Sequence, residues 1–533
     1  MIEVKLSNTN YPSFLSDVSD ENGILFNNQF DEISELRSIE NFNKSHREIL
    51  VNSIKEDLIK WNAPQNAFEA NTKILNENCY TIMSGQQPGL CCSPLYIIYK
   101  AIGTIKLAEK LSLKFPDKQF VPVFWLEGDD HDFDEIRNLG IINNGNEYQK
   151  LWLENDDNRR LHVGERFVNV NNFQKLISCL KDSLIETEFT NDLLDKIKSF
   201  YIDSNFSDGF SKLLYYILGN TNLIIASSRN PSLKRLAKNI LKKEILNPEI
   251  LFNSINLNTL ELQSNNIQTP IKLTSPQTFI THENERLSLE IENGSYHTKN
   301  KEIVFTKNEL SELTDLSPEI FSPKVTLRPI MQDAIFPTAV FLGGPTELAY
   351  LRQIRPGYSV MGIIAPIIAP RPFVFILESR VKRNIENVKI DFDKFFNINF
   401  DLLKDLVDEN VLNEIITIKE NLKNELNDSL KAFSTLIDKY DSTLNSSLLA
   451  LISKTEKEIE ILTQKIISSI KKRHKISLDR YNNIIQSIMP NKIHQERALS
   501  PLYFINKYGL DKFQNTFDKI DCKNGILQII EIN

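Results

Sequence analysis

Val121-Pro-Val-Phe-Trp-Leu-Glu-Gly-Asp-Asp-His-Asp-Phe-Asp-Glu135 decides the fold, because an apolar, aromatic run passes straight into Gly128 and a crowd of carboxylates around His131. An apolar run of this length bounded by a glycine reads as a strand buried on both faces. In open α/β sheets the residues just past such a strand's C-terminal end are where ligands sit. Like charges packed beside one imidazole repel, raise one another's pKa values, and favour a bound cation or a protonated histidine. A solvated acidic loop is the plainer alternative, and the strand in front of it weighs against that.

Outward from this stretch, strand and helix alternate. Residues 79–84 read as a short strand, Gly85-Gln-Gln-Pro-Gly89 as a loop and 96–113 as a helix. Residues 222–227 read as another buried strand, with the helix 233–246 behind it. Ala339-Val-Phe-Leu342 is a fourth, followed by Gly343-Gly344-Pro345, with Thr346 placed to cap a helix through Leu351. This alternation predicts βαβ units and a mostly parallel sheet. The polar stretches 140–170 and 265–312, with strand-like pieces at 148–153 and 286–291, read as insertions that decorate the sheet rather than extend it.

Between Pro372 and Pro490 there is neither Gly nor Pro. There Ile415, Ile418, Leu422, Leu426, Leu430, Phe433, Ile437, Tyr440 and Leu444 recur at three- and four-residue steps, and the pattern resumes from Leu448 to Ile470. That spacing predicts long helices in a coiled coil, whose seam a second subunit or the chain's own core could cover. The polar cluster 438–447 is either a turn between antiparallel helices or surface on one longer helix. The expected division is a Rossmann-like core in three parts (1–139, 196–262, 321–384), insertions at 140–195 and 263–320, a helical coiled-coil domain at 385–480, and a C-terminal segment, 481–533, that packs back on the core.

Composition narrows the function classes. Of 533 residues, 41% are hydrophobic and 25% charged, as in a globular protein, and the formal net charge of −8 without a long basic tract makes nucleic acid an unexpected partner. Five cysteines without a CxxC pair suit reduced thiols and a cytoplasmic location. The first residues lack a basic region followed by an apolar core, so no secretory signal is read. Pro366, Pro370, Arg371 and Pro372 interrupt the apolar stretch 360–377, which fits a buried strand and not a membrane span.

The loops carry the chemistry. Gly85-x-x-x-Gly89 and Gly343-Gly344 each follow a strand and precede a helix, where backbone N–H groups can hold an anion or where a glycine turn merely lets the helix pack. Neither is a P-loop or a dinucleotide fingerprint. Arg328 could fork to a substrate carboxylate or pair with Asp333. Converging on one crevice, these loops suit a substrate with an amine and carboxylates: Asp129, Asp130 and Asp132 would hold the ammonium and His131 would take a proton from the attacking nitrogen. The same cluster could ligate a hard metal ion, but a second histidine at ligand spacing is missing, and the metal-free reading is preferred.

Ser84-Gly-Gln-Gln-Pro-Gly-Leu90 with Pro94-Leu-Tyr-x-x-Tyr-Lys100, the Val121–Glu135 stretch, Leu327-Arg-Pro-x-Met-Gln with Phe336-Pro-Thr, and Gly343-Gly-Pro-x-Glu347 together resemble the bacillithiol synthase (cysteine ligase BshC) family. Gln495-Glu-Arg497 and Pro501-Leu-Tyr-Phe-Ile-Asn-Lys-Tyr-Gly509 fit it as well. The resemblance implies a Rossmann-like core with connecting-peptide insertions and a coiled coil through which the family forms a homodimer. It also implies a ligase that joins cysteine through its carboxyl to the amine of glucosaminyl-malate. Carried over by position, Gly85, Gln86, Gln87, Gly89, Tyr96, Arg328, Gln332, Gly343, Gly344 and Glu347 would bind substrate. Amide formation needs an activated carboxyl, which leaves room for ATP or ADP although no nucleotide motif is present. Asn506, Lys507 and Tyr508 are the candidates for that contact, or else a structural clamp. Pro88 and Cys91-Cys92 depart from the family pattern, and packing is the favoured account of the vicinal thiols. A metal-dependent hydrolase and a non-catalytic coiled-coil scaffold are the competing functions.

Overall fold

The computed structural model of the chain describes residues 2–6, 42–155, 157–299, 302–388, 395–396, 409–473, 475–523 and 525–533. They fall into two compact units, residues 1–379 with 490–533, and residues 380–489.

The first unit is built on a five-stranded, all-parallel sheet. Its strands are β2 (Cys79–Gln86), β3 (Gln119–Leu126), β6 (Ile224–Ser227), β12 (Thr338–Gly343) and β13 (Ile367–Pro370). They lie in the order β13-β12-β2-β3-β6. The chain therefore steps outward from β2 in one direction, returns to β12 and steps out in the other. Between β2 and β12 the connections diverge and leave a crevice beyond the strand ends. Seven of the eight residues of β3 are buried, which is why its sequence is nearly continuous in apolar side chains. Helix Tyr96–Lys114 covers one face of β2 and β3, with Leu107 and Leu111 packed among Tyr80, Ile82, Phe120 and Val340.

Three smaller sheets surround this core. β4 (Asn138–Ile142) and β5 (Tyr148–Trp152) form an antiparallel pair. β7 (Thr278–His282), β8 (Glu285–Glu292), β9 (Ser295–Thr298), β10 (Val304–Phe305) and β11 (Phe321–Pro323) form a separate antiparallel sheet in the order β10-β9-β8-β7-β11. The third joins β1 (Ile2–Lys5) and β14 (Phe373–Glu378) on either side of β15 (Ile526–Ile532), so the C-terminal strand pairs with elements of the first unit.

Local chemistry moved several boundaries from their expected places. The expected helix 233–246 is two, Pro231–Leu236 and Lys238–Leu246, broken where Ala237 leaves helical geometry. Asn230 caps the first of them through the amides of Ser232 and Leu233. Thr346 does not cap the helix after β12. That helix, Pro345–Met361, starts from Gly344, whose N–H donates to Glu347 Oε2 at 2.8 Å, and Pro345 occupies the first helical position, where its missing N–H costs nothing. Gly362, in the left-handed region at φ 80°, ends it.

In the second unit, helices Glu409–Tyr440 and Asn445–Arg473 pack against each other through a turn at Ser442–Leu444, and helix Lys475–Ile488 follows. The polar cluster 438–447 is thus the turn of a hairpin. Asp441 accepts from the amide of Thr443, Asn445 Nδ2 reaches Asp438 Oδ1 at 3.0 Å, and Lys419 crosses to Glu460 at 3.6 Å. Part of the expected coiled-coil domain, residues 389–394 and 397–408, lies outside the described residues.

Candidate active site

The loops after β2, β3 and β12 open into one cavity of about 540 Å³ at the crevice where the sheet's connections diverge. Gly85 and Gln86 at the end of β2 and Gln87 just after it line the cavity, with Asp130 and His131 from the loop after β3, Gly344 and the helical Glu347 after β12, and Tyr96 and Arg328. A further wall comes from the antiparallel sheet: Phe279, Arg286 and Lys324.

His131 sits between two arginines. Its Nε2 lies 2.5 Å from Arg160 Nη2, and its Nδ1 lies 3.2 Å from Arg286 Nη1 and 3.5 Å from Asp130 Oδ1. A guanidinium only donates, so the close Arg160 contact requires a lone pair on Nε2, while Nδ1 faces both the Arg286 guanidinium and the Asp130 carboxylate. Burial, then the charges of Arg160 and Arg286, push the imidazole pKa below its usual value, which favours the neutral ring, the form able to accept a proton. Arg160 itself is exposed.

The three aspartates have different surroundings. Asp130 faces the cavity, accepting from Gln87 Nε2 at 2.7 Å and from Arg286 Nη1 at 3.3 Å. Burial opposes its ionisation, but Arg286 and the amide of His131 outweigh that and hold its pKa low. Asp129 is 2% exposed and does not line the cavity. Its Oδ1 accepts from Arg229 and Lys234, both at 2.8 Å, with His162 Nδ1 at 3.6 Å. Burial works against its charge, and Lys234 and Arg229 overcome it to depress the pKa strongly. Asp132 is exposed and caps the short helix Phe133–Ile136 through the amide of Glu135. The other carboxylates that reach the cavity are Glu127, Glu135 and Glu347, the last of them paired with Lys100. Burial raises the pKa values of Glu127 and Glu135, Arg328 opposing the rise at Glu127 and Gln87 opposing it at Glu135.

The glycine loops present side chains more than free amides. Gly85 and Gln86 still belong to β2, and a Cβ on Gly85 would sit 2.6 Å from the carbonyl oxygen of Trp125, so the glycine permits the close approach of β2 to β3. The amides of Gly89, Cys91, Cys92, Ser93 and Leu95 already donate within the protein. Lys100 ties two loops together: its buried Nζ donates to Gly85 O at 2.7 Å, Gln86 Oε1 at 2.8 Å and Glu347 Oε2 at 2.6 Å. Arg328 contacts Tyr350 OH and lies 3.9 Å from Glu127, while Asp333 accepts from Tyr358 instead. Gln332, Gly89 and Gly343 do not line the cavity; Gln332 is buried with Nε2 on the sulfur of Met83. Asn506, Lys507 and Tyr508 also stand apart from it. Asn506 bridges Thr190 and Ile185, and Lys507 and Tyr508 both engage Glu378, an arrangement that fastens the C-terminal helix to the core.

Sequence reading missed Lys100, Glu127, Glu135, Arg286, Lys324, Tyr350, Arg371 and Arg497 as cavity residues. Lys100 and Arg371 had a signal, a single charge inside an otherwise apolar run, which a buried element tolerates only with a partner. For Arg371 that partner is Glu496, held bidentate at 2.8 and 2.6 Å with both side chains 1% exposed. Arg286 and Lys324 had none, since they come from a polar insertion and its margin.

Among the described residues no group of three or more His, Cys, Asp or Glu is arranged to hold a metal ion. No described helix is long and apolar enough to cross a membrane. Residues 12–372 match the family model "Bacillithiol biosynthesis BshC, N-terminal Rossmann-like domain", and residues 374–532 match "Bacillithiol biosynthesis BshC, C-terminal coiled-coil domain". Relatives named "Putative cysteine ligase BshC" include one from Bacillus anthracis, 29% identical over 91% of each chain. Another, from Bacillus cytotoxicus, is 26% identical over 91% of this chain and 92% of its own. With both of its regions matched in order, this chain belongs to the bacillithiol biosynthesis BshC family.

Proposed function

We propose that the protein is a cysteine ligase that joins cysteine to the amine of glucosaminyl-malate, and that it acts in the cytoplasm as a homodimer through its helical hairpin. The observation that carries the reading is His131 placed beside Asp130 in a cavity that also contains further carboxylates and unpaired cations. Such a cavity complements an amine substrate bearing carboxylates of its own. Asp130 and Glu135, rather than Asp129 and Asp132, hold the ammonium, because Asp129 and Asp132 do not line the cavity and Asp130 and Glu135 do. The amine then attacks the acyl carbon of an activated cysteine. The C–N bond forms as the bond to the activating group breaks, the electron pair departs with that group, and the amine proton passes to His131 Nε2 once Arg160 swings aside. ATP remains the co-substrate class this activation calls for, but Asn506, Lys507 and Tyr508 are already engaged by protein groups, and no step is assigned to them.

The hydrolase and scaffold readings gain nothing from this geometry. Mass-spectrometric detection of the thiol product tests the ligase directly. His131→Gln, with an unchanged melting curve, is expected to lower the rate about 10²- to 10⁴-fold, the usual contribution of a general base. An unaltered rate in that variant removes His131 from the mechanism.

A further inference from the structure

Of the six lysines and arginines that line the cavity, Arg328 lies over Tyr350 and beside Glu127, and the other five gather on two further aromatic rings. On Phe279 lie the Arg286 guanidinium, 3.8 Å from the ring centroid, and Lys324 Nζ at 5.5 Å. On Tyr96 lie Arg371 at 5.4 Å, Arg497 at 5.7 Å and Lys100 Nζ at 5.8 Å. Within each group all but one cation is neutralised by the protein, Lys100 by Glu347. Arg286 pairs with Asp130 at 3.3 Å, and Arg371 pairs with Glu496. The other is not. Lys324 has one side-chain hydrogen bond, to Thr274 Oγ1 at 3.2 Å, and neither it nor Arg497 forms an ion pair among the described residues. An unpaired cation lining a cavity is a place for a ligand's anionic group. Here there are two, on different walls.

We propose that Lys324 and Arg497 are separate carboxylate subsites, Lys324 for the malyl carboxylates of the amine substrate and Arg497 for the carboxylate of the amino acid. The assignment rests on the ligase reading above. Its direction comes from His131, whose ring lies 5.9 Å from Phe279 and so belongs to the Lys324 wall. In a glucosaminyl glycoside the amine and the malyl oxygen are on neighbouring ring carbons. An amine at His131 therefore keeps its malyl group on the same wall, and the amino acid is left with the Tyr96 wall. Burial, which lowers the Lys324 pKa to about 8, leaves an ammonium that gains from meeting an anion.

Calorimetric titration of the full chain with glucosaminyl-malate, L-malate and cysteine in turn tests this. Lys324→Met is expected to weaken glucosaminyl-malate and malate about 10- to 100-fold, as loss of a charge-assisted contact does, and to leave cysteine within about twofold. Arg497→Met is expected to do the reverse. Lys324→Arg keeps the charge and restores most of the affinity, which separates recognition from misfolding. Equal weakening of all ligands by both variants, no change in either, or the opposite pairing overturns the proposal. If the wild type binds malate in a Lys324-dependent way yet makes no amide from cysteine and glucosaminyl-malate, the ligase reading fails and the Lys324 subsite stands.

Discussion

Asp129 shows how far a residue's role depends on its partners. Its carboxylate is buried under the cavity and bound by Lys234, Arg229 and His162, and Lys234 also donates to the carbonyls of Glu319 and Phe321, tying the parallel core to the margin of the antiparallel sheet. Removing Lys234 leaves the buried Asp129 charge only partly compensated, by Arg229. Lys234→Met is therefore expected to cost about 3–5 kcal/mol in unfolding by denaturant, with Asp130 and His131 chemically unaltered. The sign with pH follows from the depressed Asp129 pKa. The folded protein holds fewer protons than the unfolded chain, so the stabilisation is complete above the ordinary carboxylate pKa near 4 and is lost as pH falls below it. Melting curves between about pH 3 and 7 should fall more steeply on the acid side for the wild type than for Asp129→Asn made together with Lys234→Met. Parallel curves would show that the cluster does not govern acid stability.

Strands and helices set the distances at which such residues meet. β2 and β3 pair in parallel register from Cys79 opposite Gln119 to Gln86 opposite Leu126, which places the two loops side by side. Gly85 is the tight point of that pairing, where a Cβ would meet backbone and not a flexible side chain. Gly85→Ala must push the strands apart or twist them. It is expected to destabilise the protein by about 1–3 kcal/mol and to reduce activity further, because Lys100 hangs from the Gly85 carbonyl and fixes Glu347 on the opposite loop. Full activity with an unshifted melting temperature would mean that this junction is tolerant. The strands themselves were legible because both faces are buried and their sequences are continuous in apolar residues. The break at Ala237 and the Gly344 cap were not, since periodicity places elements and not their ends.

At the scale of the whole molecule, the second unit exposes Leu422, Phe433 and Leu462 at 44, 58 and 56% of their surfaces along the hairpin. Light scattering is expected to give twice the chain mass of 61.5 kDa for the wild type and the single mass for Phe433→Glu combined with Leu462→Glu. A monomeric wild type would end the dimer proposal while leaving the active-site proposals untouched. The sequence by itself determined the parallel sheet, the glycine and acidic loops at its strand ends and the long helices, because buried strands and helical seams are written as local periodicity. Only the tertiary structure decided that Asp130 and Glu135 face the cavity while Asp129 is consumed beneath it, and that Arg286 and Lys324 arrive from an insertion that looked peripheral. The physical reason is that a charge takes its character from whatever counter-charge folding brings within a few ångströms, and here Arg229 and Lys234 lie about a hundred positions along the chain from the carboxylate they neutralise.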